Sequence, residues 1–86
     1  MVYFQDQISN FVRENKHLGA RLVSAPTENP CIHLEAVVCD KLDDNFVIPD
    51  GLQIEKQNRS YWLKSYYTGE FIKIIDRENE REFFRK

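Results

Sequence analysis

Ser60-Tyr61-Trp62-Leu63-Lys64-Ser65-Tyr66-Tyr67-Thr68-Gly69-Glu70-Phe71-Ile72-Lys73-Ile74-Ile75-Asp76 is the stretch that decides the fold. Two segments rich in aromatic and β-branched residues flank a glycine-bearing turn, which is the pattern of a β-hairpin. The stretch holds the single Trp and every Tyr except Tyr3. A two-residue Thr68-Gly69 turn would force a β-branched residue to positive φ and set Lys64 against Lys73. A three-residue loop with Gly69 as a left-handed bulge avoids both, and it predicts Trp62 opposite Ile74 and Lys64 opposite Ile72. In either register both faces of the ribbon carry aromatic, aliphatic and lysine side chains.

Upstream, Phe4, Ile8, Phe11 and Val12 recur at helical spacing, which predicts an amphipathic helix over residues 3–17. Lys16 and His17 suit the negative C-terminal end of its dipole, and Gly19 suits the left-handed position beyond it. Ala20 to Ala25 reads as a strand ended by Pro26, and residues 26–30 read as a turn. Between Cys31 and Cys39, Ile32, Leu34, Ala36 and Val38 alternate as in a strand, whereas Leu34, Val37, Val38 and Leu42 fit a helical face. The β-branched content favours the strand. Phe46-Val47-Ile48 is expected as a short strand, Pro49-Asp50-Gly51 as a turn, and Leu52 to Lys56 as a resumed strand. Residues 77–86 are either a short helix or a last edge strand.

These elements predict one small α+β domain over residues 1–86: an N-terminal amphipathic helix packed on a four- to five-stranded antiparallel meander, with a short C-terminal helix as one option. An apolar fraction of 42% and a charged fraction of 30% belong to a globular chain rather than a disordered one. The opening residues lack the basic start and apolar run of a secretory signal, and no stretch approaches the roughly 20 apolar residues that span a bilayer. Cys31 and Cys39 would lie about 26 Å apart on one strand, beyond disulfide reach. Free thiols without a signal predict a cytoplasmic location.

Charge is uneven along the chain. Residues 1–55 carry four basic against nine acidic side chains, and residues 56–86 carry eight against five. Such asymmetry can orient a partner electrostatically.

Four groups of residues have chemical potential. Cys31, His33 and Glu35 share a strand face with Cys39 in phase, but a structural zinc site needs four convergent ligands, so no metal is expected. Asp40, Asp43, Asp44 and Asp50 form an acidic loop without the spacing of a calcium site. Glu35, Glu70 and Asp76 stand alone, and no phosphate loop, nucleophile elbow or zinc-protease motif is present, so no enzyme and no cofactor are expected. Arg77, Arg81 and Arg85 would stack on one face of a helical tail and could grip phosphates, although Glu78, Glu80 and Glu82 blunt their field.

The sequence therefore predicts a non-enzymatic binding, adaptor or inhibitor protein that uses the hairpin's aromatic face against a protein partner, a homodimer included. Trp62, Tyr66 and Tyr67 are the expected anchors, with Lys64 and Arg59 as a charged rim. A single-stranded nucleic-acid module, with bases stacked on the aromatics and phosphates on the C-terminal basic residues, is the alternative.

Overall fold

In a computed structural model, which describes residues 2–42 and 45–85, the chain forms a five-stranded sheet with one helix on each face. The elements are α1 (Phe4–Glu14), β1 (Arg21–Pro26), β2 (His33–Cys39), β3 (Leu52–Gln57), β4 (Ser60–Ser65), β5 (Phe71–Asp76) and α2 (Arg77–Phe83). The α+β class and the N-terminal helix agree with the sequence pattern, residues 33–39 form a strand, and the tail resolves as a helix. Asp76 starts α2, its side chain accepting the Asn79 amide at 3.0 Å as an N-cap.

The strand order is β1-β2-β5-β4-β3, so the sheet is mixed rather than a pure meander. β1–β2, β3–β4 and β4–β5 are antiparallel, but β2 and β5 run parallel through only three residue pairs, Val37–Ile74, Val38–Ile75 and Cys39–Asp76. The chain leaves β2 through residues 40–51, reaches the far edge, and returns strand by strand to β2's side. A helix over residues 3–17 is corrected to α1 followed by a 3-10 turn over Lys16–Leu18, which Gly19 closes at φ 70°.

The expected strand at residues 46–48 is absent. Asn15, fully buried, donates to the Val47 carbonyl and accepts from the Val47 amide, both at 2.8 Å. Those two bonds satisfy Val47 without a neighbouring strand. Phe46 then sits between Phe11 and Tyr61, with ring centroids 5.7 and 6.1 Å away.

The hairpin register also differs from expectation. Trp62 faces Lys73, Leu63 faces Ile72 and Lys64 faces Phe71, which makes residues 66–69 a four-residue loop. Ser65 explains it. Its amide donates to the Glu70 carbonyl at 2.9 Å, and its hydroxyl accepts from the Tyr67 and Thr68 amides at 3.1 and 3.2 Å. Gly69 is left-handed as expected, at φ 74°, but the loop is one residue longer, with its amides capped by the Ser65 side chain.

Alternation along the strands sorts the two faces. Leu22, Val37, Cys39, Leu52, Leu63, Ile72 and Ile74 meet Ile8 and Phe11 of α1 in the main core. Complete burial of Phe11, Leu63 and Ile74 stabilises by about 2 kcal/mol each. On the opposite face Ala36, Val38 and Ile75 pack with Val23, Phe83 and Phe84, so α2 covers the β1-β2-β5 half only.

Candidate functional site

The half of the sheet that α2 leaves open is built from six residues in two cross-strand rows. Register places Glu55, Trp62 and Lys73 side by side on β3, β4 and β5, and Gln53, Lys64 and Phe71 in the next row. All six share one face because each lies an even number of residues from its strand mate. Tyr61 and Leu63, of opposite parity, belong to the α1 core. Trp62 is therefore half-buried on the sheet's second face rather than in the core.

Trp62 and Phe71 meet edge to face across the diagonal, with centroids 5.4 Å apart and planes at 78°. Phe71 is nevertheless 62% exposed. The Lys73 ammonium reaches both Trp62, at 5.9 Å from the ring centroid, and Phe83 of α2, at 5.4 Å. An ammonium near two ring faces is attracted by their quadrupoles. On the other flank Lys64 lies 3.8 Å from Glu55, and Gln53 donates to Glu55 at 3.0 Å. The polar side of this surface is thus internally paired, and its apolar side is not.

Beside Phe71 a cleft of about 690 Å³ opens, lined by Tyr3, Phe4, Leu34, Trp62, Phe71 and Phe83. It follows from the topology: the β2–β5 ladder ends after three pairs, and Leu34 on β2 and Phe71 on β5 flank the gap beyond it. Leu34 is 37% exposed, and Tyr3 at the cleft's rim is 60% exposed. Glu35, Glu70 and Lys73 supply its charged margin.

The expected anchors do not all converge. Trp62 and Lys64 are neighbours on the open face, and Tyr66 joins them by donating its hydroxyl to Gln53 at 2.7 Å. Tyr67 turns away and lies against Gly51, at the same glycine whose carbonyl accepts from Gln7 at 3.3 Å. Arg59 sits in the β3–β4 turn, at the other end of β4 from Tyr66 and about 20 Å along the strand. Phe71, Leu34 and Lys73 were not among the expected site residues. Phe71 follows from the four-residue loop once Ser65 is read as its cap; Leu34 depends on parallel pairing between distant strands, for which no local signal exists.

The other groups are dispersed. β2 begins at His33, so Cys31 lies in the preceding turn, exposed, while Cys39 is buried in the α1 core. Among the described residues no three His, Cys, Asp or Glu side chains are placed to hold a metal ion. Asp43 and Asp44 lie outside the described residues, and Asp40 is 3.6 Å from Arg21. Arg77, Arg81 and Arg85 line one groove beside β1. No helix among the described residues is long and apolar enough to cross a membrane. No family model matches this chain, and neither does any curated protein or solved structure.

Proposed function

We propose that this chain is a non-enzymatic protein-binding module that docks an apolar segment of a protein partner at the Trp62–Phe71 face and its adjoining cleft. One observation carries the proposal: Phe71 is held edge-on to Trp62 yet keeps 62% of its surface in water, next to an apolar cleft. Single exposed apolar residues are ordinary, whereas a contiguous patch of Leu34, Phe71, Trp62 and Tyr3 beside a cleft has the make-up of an interface core. Trp and Tyr bury large areas at little entropic cost, and Lys73, Glu35 and Glu70 provide a rim. A second copy of the chain is one such partner. Cys31 and Cys39 form no disulfide, which suits a reducing, cytoplasmic compartment.

The nucleic-acid alternative has less support at this face. Stacking needs an open ring face, and Trp62 already has Phe71 against it and the Lys73 ammonium near its ring.

The test is affinity capture from the native cell with the wild-type chain and with Phe71→Asp. A protein captured by the first and lost with the second, at unchanged unfolding midpoint, supports the proposal. Equal capture by both chains overturns it. If the wild-type chain instead retains labelled single strands, with affinity falling steeply between about 50 and 200 mM salt, the nucleic-acid reading replaces it.

A further inference from the structure

The groove on the other side of α2 has a different chemistry. α2 packs over Ala36, Val38 and Ile75, one strand in from the sheet edge, so its flank and the face of β1 form a step. The step is a groove of about 610 Å³ with Val23, Ala25 and Phe84 as its floor and Arg77, Arg81 and Arg85 around it. Glu80 also lines the groove, but it is engaged by Arg21 at 2.9 Å, a guanidinium that Asp40 approaches at 3.6 Å. Among the described residues no ion pair holds Arg77, Arg81 or Arg85. Three guanidinium groups outside any ion pair therefore surround an apolar floor whose one lining carboxylate, Glu80, is engaged by Arg21.

The second observation is independent of charge. β1 is an edge strand, pairing with β2 on one side only, through all six residues from Arg21 to Pro26. In such a pair alternate residues direct their N–H and C=O groups to the free side, where they are a template for another strand. Pro26 ends that template because it has no N–H. The opposite edge, β3, lies beyond the part of the second face that α2 covers. At β1 a strand-pairing edge, an apolar floor and three unpaired arginines occur together.

We propose that an extended, acidic segment of a partner protein adds to β1 as a sixth strand, its carboxylates taken by Arg77, Arg81 and Arg85. The backbone bonds of the added strand supply affinity, and the guanidinium forks, which match carboxylates in two-point fashion, supply selection for acid over base. A peptide fits better than a nucleic acid because the groove runs along an open strand edge, whose N–H and C=O groups pair with another peptide backbone and have no such partner in a phosphate chain. This surface is separate from the Trp62–Phe71 face, and Phe83 and Phe84, in contact at 4.9 Å, divide the two.

The probe is a fluorescein-labelled peptide of about eight residues that alternates glutamate with valine, followed by anisotropy on the full chain. Saturable binding is expected, weakening several-fold from about 50 to 200 mM salt and at least about tenfold in the Arg77→Glu/Arg81→Glu double variant. Both arginines are exposed, and circular dichroism of the variant checks that the fold is kept. Slowed amide exchange is expected in β1, with the bound peptide's own backbone required: N-methylation of alternate peptide bonds should abolish binding. The proposal is overturned by no saturable binding, by equal affinity for the lysine-valine counterpart, by unimpaired binding of the N-methylated peptide, or by tighter binding of a labelled oligothymidine than of the acidic peptide.

Discussion

The carboxamide of Asn15 and the peptide groups of Val47 exchange two hydrogen bonds of 2.8 Å, the pair of contacts that a neighbouring strand would otherwise make. Asn15 also donates to the Phe11 carbonyl at 2.8 Å and is fully buried. This side chain closes the end of α1 and holds Val47, in the segment that leads into β3. Asn15→Leu keeps the volume but leaves both Val47 groups unmet, and a loss of about 2–4 kcal/mol is expected. Asn15→Asp keeps the acceptor and loses both donations, so it should fall in the same range. Urea unfolding with a shared m-value measures both. A loss under about 1 kcal/mol in either variant would show that Val47 finds its partners elsewhere.

Asn58 and Arg59 connect β3 to β4 with φ of 49° and 68°, the two positive values of a type I′ turn. Asparagine tolerates that region; arginine carries a Cβ penalty there of about 1 kcal/mol. Arg59→Gly should therefore stabilise the protein by about 0.5–1 kcal/mol, which a raised thermal midpoint would record. Arg59→Pro, with φ locked negative, should disrupt the hairpin. If glycine at 59 has no stabilising effect, the left-handed arginine is held by contacts that offset its strain.

Local chemistry was readable wherever one residue determines one conformation. The helical spacing of Phe4, Ile8 and Phe11, the left-handed Gly19 and the Pro49-Asp50-Gly51 turn all appear in the structure. Asn58-Arg59 was missed as a turn because arginine is not a residue that seeks positive φ. The hairpin register failed by one residue through Ser65: its hydroxyl caps two loop amides, and a polar side chain bonding to its own backbone leaves no trace in hydrophobic alternation. That slip mattered to the site, since it hid Phe71 beside Trp62. The parallel β2–β5 pairing joins residues more than 35 positions apart through three pairs, and nothing local in either strand encodes it.

Gly51 and Tyr67 form a second dependency. Gly51 has φ 86° at the third position of the Pro49–Leu52 turn, and a Cβ placed on it would collide with the Tyr67 ring. Gly51→Ala carries both the left-handed penalty and the clash, so a loss of about 2–3 kcal/mol is expected. Tyr67→Ala alone should cost less than about 1 kcal/mol, since the residue as a whole is 65% exposed. In Gly51→Ala/Tyr67→Ala the clash disappears while the backbone penalty stays, so the double variant should be more stable than the two single losses sum to. A double-mutant cycle by urea unfolding reads the difference directly, and strict additivity would refute the contact.

Trp62 and Phe71 differ in what they contribute to the fold, and that difference is measurable without any partner. Trp62 is half-buried among Phe71, Lys73 and Glu55, so Trp62→Ala should cost about 1–2 kcal/mol and still leave a folded domain. Phe71 touches Trp62 on one edge and water on most of its surface, so Phe71→Ala should stay within about 0.5 kcal/mol of the wild type. Because Trp62 is the chain's single tryptophan, its emission reports on this face alone. Phe71→Ala should shift that emission to longer wavelength and raise its quenching by acrylamide, as water takes the place of the ring. Unchanged emission would mean that Phe71 does not shield Trp62 in solution. A loss of several kcal/mol on Phe71→Ala would mean that the ring is core, and the exposed patch beside the cleft would lose its centre.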